Sequence, residues 1–225
     1  MRVLAVCPMP RVNDAAIYYG RAMKSIFRQD YEGQIDYFCQ SGDGTLDGDR
    51  YDRVTAKYEQ ARWMCLEQDY DAMWCVEYDM IVPPCAVRKL LDVDADIAYG
   101  LYCWRWAPYH WSAYVHVGSE FGVSLSQMPD RAREAWGKTI SVEGVGQGCT
   151  LIKREVLKQI TFHRAGEACA DWYLARDAQR LGLSQKCDTS VVCGHTGYTP
   201  RPFTVWPSPH TKPLFVMEVH DESSL

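Results

Sequence analysis

The segment W-C-V-E-Y-D-M-I-V-P-P, residues 74–84, decides the expected fold of this chain. Apolar residues surround two acids, Glu77 and Asp79, and a pair of prolines ends the segment. Unpaired carboxylates are costly to bury, so acids in an apolar run need a partner. Because alternate residues of a β-strand point to one side, we expect Glu77 and Asp79 to face the same way. The segment predicts a core strand, 73–79, that presents two carboxylates together.

Patterns typical of strands and helices alternate on both sides of this segment. Further apolar runs indicate strands, and helical spacing of apolar residues indicates helices; the predicted strands are 3–7, 34–40, 97–104, 149–153 and 189–193, and the predicted helices are 15–28, 52–67, 87–91, 129–136 and 171–181. Such alternation implies right-handed crossovers and a mainly parallel sheet flanked by helices, the α/β class. Ligands of these sheets bind beyond the carboxyl ends of the strands, where Pro8, Asp43 and the acid pair fall.

Composition narrows the class of protein. The 225 residues, 47% of them hydrophobic, suit one globular domain with a large core. The formal net charge of −5 argues against a general nucleic-acid binder. Ten cysteines without a C-x-x-C pair indicate reduced, mostly buried thiols. No run approaches the length of a membrane span, and the apolar N-terminus is too short for a signal peptide, so we expect a cytoplasmic protein.

The acid pair indicates a divalent cation. Carboxylate oxygens favour hard ions such as Mg²⁺ or Mn²⁺, and an ion at a strand end can hold a diphosphate. The alternative is a solvated strand edge, which the apolar residues on both sides of the pair disfavour. His195 stands between Gly194 and Gly197 after the last strand. This position favours a role in the crevice over that of a core histidine.

An aromatic-rich stretch, 99–116, is the most individual feature of the sequence. Trp104, Trp106 and Trp111 alternate there with polar residues that include Arg105. Aromatic faces stack on sugars or nucleobases, and a nearby arginine supports contact with phosphate. Part of the stretch is expected in the core, and these four residues are predicted to contact a second substrate.

The C-terminal segment, 198–225, is rich in proline, and no acid lies between Asp188 and Glu218. We expect an ordered loop over the site, in which Arg201 and Lys212 contact an anionic group such as a diphosphate.

V-E-Y-D at 76–79 resembles the DxD motif of glycosyltransferases with the GT-A fold, especially the large family-2 group. Further matches follow in the family's order, and the resemblance covers about residues 1–197; the matching stretches are S-G-D-G-T-L-D at 41–47, V-G-Q-G-C-T-L-I-K-R-E-V-L at 145–157, A-D-W-Y-L-A-R-D at 170–177 and V-V-C-G-H-T-G at 191–197. The resemblance implies a single GT-A domain with a Rossmann-like sheet.

By this resemblance, Asp79, Glu77 and His195 would bind Mn²⁺ or Mg²⁺, while Pro8 and Asp43 would lie beside the donor nucleotide. The first acid of the motif is Glu here rather than Asp. Glu77 would therefore contact either the ion or the ribose of the donor.

The resemblance also implies that Asp171 is the general base that takes a proton from the acceptor hydroxyl. Ala170 replaces the family's usual Glu before this base. Asp171 also begins a predicted helix, where it would serve as an N-cap, and the two roles are compatible. Gly146 and Gly148 precede a strand, so they are no dinucleotide fingerprint; they either permit close packing or leave room for the substrates.

The resemblance implies a metal-dependent, inverting hexosyltransferase with a nucleotide-sugar donor, a UDP-sugar being favoured. Residues 1–104 would bind the donor, 105–197 would bind the acceptor, and 198–225 would form the loop over the site. The acceptor would be a glycan, a small molecule or a hydroxymethylated base in DNA, as for viral enzymes that act in the host cytoplasm.

Two alternatives stay open at this point. A sugar nucleotidyltransferase of related fold usually has a Gly-rich basic loop after its first strand, where this chain has P-M-P-R-V-N-D at 8–14. A non-catalytic glycan- or nucleotide-binding module has no need of a base beside a metal site. The sequence leaves the oligomeric state undetermined.

Overall fold

The computed structural model describes residues 1–9, 20–40, 48–118, 122–166, 168–198 and 201–220. Its helices and strands follow the chain in this order: β1 (Arg2–Pro8), α1 (Gly20–Ile26), β2 (Gln34–Gln40), α2 (Arg50–Glu67), β3 (Ala72–Val76), β4 (Met80–Ile81), α3 (Ala86–Asp92), β5 (Ile97–Leu101), β6 (Tyr114–Val117), β7 (Gly122–Ser124), α4 (Pro129–Ala135), β8 (Thr139–Ser141), β9 (Cys149–Lys153), α5 (Arg154–Leu157), α6 (Ala170–Arg180), β10 (Gln185–Val192), β11 (Gly194–Gly197), β12 (Phe203–Pro207) and β13 (Phe215–Val219).

Seven strands form the central sheet in the order β2-β1-β3-β9-β5-β10-β8. Strands β1, β2, β3, β5 and β10 run in one direction, whereas β8 and β9 run in the other. All residues of β3 and β5 are buried, which is typical of strands covered on both faces. The predicted α/β class with a mainly parallel sheet is confirmed, and each predicted element has a counterpart among the described residues.

One hydrophobic cluster extends from β1 to Leu214, so the described residues form a single domain, as predicted. Helix α2 begins at a capping box in which Asp49 and Asp52 each accept a backbone N–H of the first turn. Its buried face, which includes Tyr58 and Ala61, covers β1 and β3. None of the described helices is long and apolar enough to cross a bilayer.

The acid pair lies beyond its strand rather than within it. Strand β3 ends at Val76, whose partner Cys149 is the first residue of β9. The chain then turns, with the amide of Met80 donating to the carbonyl of Glu77 at 3.1 Å. The prediction that 77–79 continue the strand was wrong, because the chain folds back in this turn after one further bond, from the amide of Glu77 to the carbonyl of Gly148 at 3.2 Å. The two acids are brought together by this turn and not by strand alternation.

A second, antiparallel sheet follows the order β13-β12-β11-β4. The described part of 198–225 was predicted as a loop, but it supplies the two strands β12 and β13. Its prolines fall at or between the strand ends, where the missing N–H interrupts no ladder. In this sheet His195 pairs with Met80. The second sheet thus brings the histidine of β11 next to the turn that carries the acids.

Candidate active site

A cavity of about 520 Å³ opens beyond the carboxyl ends of β1 and β3. Its volume is in the range of small-molecule sites. Eight of its lining residues were predicted from the sequence: Pro8, Glu77, Asp79, Trp104, Arg105, Trp106, Asp171 and His195. The others were not: Met9, Arg50, Tyr51, Arg53, Val54, Thr55, Lys57, Tyr78, Tyr102, Ser112, Tyr114, Gln147, Cys169 and Ala170.

One end of the cavity holds Glu77, Asp79 and His195. One ligand atom from each of these side chains lies within 4.8 Å of the others. Asp79 is 2% exposed and His195 is 5% exposed, so both are almost removed from water. Residues from the β3–β4 turn and from β11 therefore form one compact cluster, which we call the acidic triad.

Two atoms of the acidic triad lack a partner. The Nδ1 atom of His195 lies 2.8 Å from the carbonyl oxygen of Cys103, and this bond requires the proton on Nδ1. In the neutral imidazole the lone pair is then on Nε2, which is buried and lies 3.6 Å from Oδ2 of Asp79; like Oδ1 of Asp79, it has no hydrogen bond among the described residues. Buried polar atoms without partners are uncommon in folded proteins. Two carboxylates and one imidazole fit a Mn²⁺ or Mg²⁺ ion, and the backbone carbonyl of Cys103 orients the imidazole.

Arg105 forms an ion pair with Oδ2 of Asp79. Burial alone would raise the pKa of Asp79, but the neighbouring His195 and Arg105 outweigh it and hold this pKa below its ordinary value. Burial and then the negative charge of Asp79 raise the pKa of Glu77 to about 7. Asp79 is thus the firmly charged member of the acidic triad. Arg105, predicted to contact the acceptor, lies at the metal end of the cavity instead.

Asp171 lies in another part of the same cavity, in the first turn of α6. The N-cap of this helix is Cys169, so Asp171 is not the cap. Its Oδ1 accepts the amide of Trp172 at 2.9 Å. Desolvation by the surrounding protein raises the pKa of Asp171 above its ordinary value. A cavity-lining carboxylate whose pKa is raised is suited to accepting a proton.

Gly146 and Gly148 shape the wall between these two carboxylates. The amide of Gly146 donates to Oγ of Ser112 at 3.0 Å, and that of Gly148 donates to the hydroxyl of Tyr102 at 3.3 Å. A Cβ on Gly146 would collide with Tyr102 and would lie 3.0 Å from Oδ2 of Asp171. Both glycines, predicted as substrate contacts, thus have a packing reason. The residue that lines the cavity between them is Gln147, which the sequence reasoning did not single out.

The aromatic stretch divides between the cavity and the core. The rings of Trp104 and Trp106 stack with centroids 6.0 Å apart, and Trp106 is 55% exposed. Trp111 is fully buried, donates from Nε1 to the carbonyl of Leu214 at 2.6 Å and packs on Trp136. The prediction that Trp111 contacts a substrate was wrong, because its polar atom and its ring are both engaged inside the protein.

The predicted basic contacts lie elsewhere on the molecule. Among the described residues, Arg201 and Lys212 are exposed and neither lines the cavity. Lys212 borders a separate cavity of about 460 Å³ instead. Asp43, predicted beside the nucleotide, lies outside the described residues.

The basic wall of the cavity comes from α2. Arg50, Arg53 and Lys57 are spaced to share one helical face and all line the cavity. The Nζ atom of Lys57, a buried lysine, donates to the carbonyl of Met9 at 2.9 Å. The spacing of three cations at 50, 53 and 57 was a signal in the sequence that could have located this wall.

No protein-family model matches this chain, and no curated protein matches its sequence. Among solved structures, A197 from STIV has a similar fold, with a TM-score of 0.60 and 20% identity over 99% of this chain and 95% of that chain. This likeness shows the fold alone.

More distant likenesses include two glycosyltransferases. Drosophila β1,4-galactosyltransferase 7 matches with a TM-score of 0.47 and 12% identity, over 99% of this chain and 72% of that chain. GalNAc-T7, solved with UDP, GalNAc and Mn²⁺, matches with a TM-score of 0.46 and 10% identity, over 86% of this chain and 43% of that chain. TM-scores below 0.5 are too low to establish a shared fold.

Proposed function

We propose that this chain is a divalent-metal-dependent glycosyltransferase of the GT-A type, which moves a sugar from a nucleotide-sugar donor to an acceptor hydroxyl. One observation carries the proposal. A single cavity joins a buried metal-ligand set, with two unpartnered ligand atoms, to a separate carboxylate whose pKa is raised. The first feature suits a leaving diphosphate, and the second suits removal of a proton from an attacking hydroxyl.

The acidic triad marks the donor end of the cavity. Asp79, His195 and Glu77 would hold Mn²⁺ or Mg²⁺, which when bound stabilises the negative charge of the departing diphosphate. Arg50, Arg53 and Lys57 add fixed positive charge along the adjoining wall. This wall, rather than the predicted Arg201 and Lys212, would contact the diphosphate. Pro8, at the end of β1, lies beside the wall and would contact the nucleotide.

Asp171 marks the acceptor end. Its carboxylate would take the proton from the acceptor hydroxyl as the oxygen attacks the anomeric carbon and the bond to the nucleoside diphosphate breaks. A single displacement of this kind inverts the anomeric centre. The exposed ring of Trp106, backed by Trp104, offers an apolar face on which an acceptor ring would stack.

Finer features of the reaction extend this proposal. We favour a hexose as the transferred sugar and UDP as the nucleotide. The stacked tryptophans suit an acceptor sugar ring or a hydroxymethylated base in DNA. The division into a donor-binding half, 1–104, and an acceptor-binding half, 105–197, stays a prediction from the resemblance. The cytoplasmic location stays a prediction from the sequence.

A donor panel tests the proposal. The protein is incubated with UDP-, GDP- and dTDP-sugars and Mn²⁺, with and without EDTA, and donor binding and hydrolysis are measured. We expect one donor to be bound and slowly hydrolysed only when the metal is present. Failure to bind or hydrolyse any donor contradicts the proposal. Release of pyrophosphate from a nucleoside triphosphate and a sugar 1-phosphate would instead establish a nucleotidyltransferase.

A further inference from the structure

Gln147 is a buried amide without a hydrogen bond. It is 4% exposed, and its Nε2 atom has no partner among the described residues. The side chain nevertheless lines the cavity that holds Asp79 and Asp171. A primary amide carries two N–H donors, and leaving them desolvated and unpaired costs free energy. Such a group is a site prepared for a ligand atom.

The position of Gln147 is fixed from both sides. Gly146 and Gly148 are tied to Ser112 and Tyr102 by their amides. The hydroxyl of Thr150 donates to the carbonyl of Gly146 at 3.0 Å, and the amide of Glu77 donates to the carbonyl of Gly148 at 3.2 Å. The backbone that carries Gln147 is therefore held in one place before any ligand arrives, which lowers the entropic cost of binding.

The residues on either side of Gln147 lie close to the two working ends of the cavity. On one side, a Cβ at Gly148 would lie 3.2 Å from the sulfur of Met80, next to the turn of Asp79. On the other side, a Cβ at Gly146 would lie 3.0 Å from Oδ2 of Asp171. In a glycosyl transfer, the group between the diphosphate and the base is the sugar that moves.

We infer that Gln147 recognises the transferred sugar, because its Nε2 would donate a hydrogen bond to a hydroxyl oxygen of that sugar. The inference rests on the proposed function and adds to it a residue that selects the sugar rather than the nucleotide. The donor must then carry an unblocked oxygen at one position of the ring. A deoxy sugar at that position leaves Nε2 unpaired in the complex and is rejected.

Gln185 provides a matched control within the same chain. It is 5% exposed, nearly as buried as Gln147, but its amide is fully used. Its Oε1 accepts the hydroxyl of Tyr99 at 2.7 Å, and its Nε2 donates to the carbonyls of Glu143 and Ala175 at 3.1 and 3.2 Å. The two buried glutamines thus differ in one respect: the amide of Gln185 is bonded within the fold, whereas Nε2 of Gln147 is left unpaired.

The first test needs no donor. Gln147→Met and Gln185→Met have similar side-chain lengths, and their thermal unfolding is compared with that of the unmodified protein. We expect Gln147→Met to keep or raise the melting temperature, because it removes an unpaired buried amide. Gln185→Met should lower it, because it leaves the groups that Gln185 pairs without partners. Equal losses of stability in both variants would overturn the inference and assign Gln147 a structural role.

The second test uses the donor that the panel identifies, its single-deoxy analogues and the free nucleoside diphosphate. Gln147→Met should weaken the nucleotide sugar on the order of 10- to 100-fold while leaving the nucleoside diphosphate unchanged. One deoxy analogue should show a similar loss with the unmodified protein and little further loss with the variant. Equal weakening of sugar and diphosphate overturns the inference alone. Absence of donor binding to the unmodified protein overturns the proposed function as well.

Discussion

Asp79 and Asp171 are the same residue type in the same cavity, yet their pKa values move in opposite directions. Burial by itself raises the pKa of both carboxyl groups. Asp79 is accompanied by the guanidinium of Arg105 and the imidazole of His195, which hold its pKa down. Asp171 has no such cation among the causes of its shift, and its pKa rises. The difference shows that neighbouring charge, more than burial, decides which carboxylate stays charged and which one can exchange a proton.

The two carboxylates also differ in how the chain positions them. Asp79 lies in the turn between two strands that belong to different sheets, so its place depends on long-range pairing. Asp171 is set by the start of α6 and by the amide of its own neighbour. Exchanging each residue for its neutral isostere should therefore give two different kinds of defect.

The largest effect on metal binding and on stability is expected for Asp79→Asn. The change removes a proposed metal ligand and leaves the partly buried guanidinium of Arg105 without its partner on Asp79. Mn²⁺ affinity, measured by titration calorimetry or by EPR of free Mn²⁺, should fall about 100-fold, at the upper end of typical effects on metal sites. Breaking the ion pair should also cost roughly 2–3 kcal/mol of stability, below the usual cost for a fully buried pair since Arg105 partly reaches water. Unchanged Mn²⁺ affinity would refute the metal assignment.

Asp171→Asn is expected to abolish transfer while leaving metal and donor binding intact. Loss of a general base slows transfer by about 100- to 10,000-fold. The measurement compares kcat for transfer with the donor dissociation constant and the Mn²⁺ dissociation constant in the same variant. An unchanged transfer rate would exclude Asp171 as the base. A loss of Mn²⁺ affinity as well would show that Asp171 also supports the metal site, so that the cavity has no separate metal and base ends.

The same exchange should shift stability in the opposite sense from Asp79→Asn. Because the pKa of Asp171 in the folded state is above its ordinary value of 3.8, keeping it ionised costs stability at neutral pH. This cost is absent below the unfolded pKa and develops as the pH rises through the folded pKa. Asp171→Asn should therefore melt at a higher temperature than the unmodified protein at pH 7, with the advantage disappearing near pH 3.

Transfer by the unmodified protein should follow the same titration, since the base acts only when deprotonated. The rate should fall as the pH is lowered through the raised pKa of Asp171. Melting curves and rates recorded from pH 3 to 8 check both expectations. A melting advantage that persisted at low pH would show that the gain is unrelated to the ionisation of Asp171.

Much of this fold could be predicted because its signals are local. The run that forms β1 is apolar after Arg2, the run that forms β3 is apolar throughout, and α2 carries its buried residues at helical spacing. Errors arose where pairing between distant segments decided the outcome. Strand β3 stops at Val76, opposite Cys149 at the start of β9, and no local pattern records that limit.

The site was predicted in part for the same reason. Asp79 was singled out by its place in an apolar run, and the metal and base roles of His195 and Asp171 were predicted from the resemblance of their stretches to a known family; the structure brings all three into one cavity. The wall of Arg50, Arg53 and Lys57 was missed, since a basic helical face is usually only solvated. Trp111 was misplaced because composition cannot distinguish a tryptophan on a cavity wall from one whose Nε1 is bonded in the core. Gln147 carries no signal in the sequence other than its neighbouring glycines.

A smaller effect is expected for Trp106→Ala. Its exposed ring stacks on Trp104 in the wall of the cavity. Removing an aromatic platform weakens stacking by about 1–3 kcal/mol, or roughly 5- to 150-fold in acceptor affinity. Donor hydrolysis by water, which needs no platform, should stay close to that of the unmodified protein. Trp63→Ala, which removes another exposed tryptophan outside the cavity, is the control; equal losses of transfer and hydrolysis would contradict the acceptor platform.

The smallest effect, and the sharpest probe of the comparison, is expected for Arg105→Gln. Its guanidinium occupies Oδ2 of Asp79, one of the oxygens available to a metal ion. Two cations close to one carboxylate repel each other, so Arg105 should weaken Mn²⁺ binding before the donor arrives. Its removal is expected to tighten Mn²⁺ binding several-fold in the absence of donor. Arg53→Gln removes a cavity-lining arginine that donates to the carbonyl of Gly48, and it measures the general effect of lost charge. Equal tightening in both variants would show that Arg105 acts only through the net charge of the cavity; weaker binding in Arg105→Gln would show that it holds Asp79 in place for the ion.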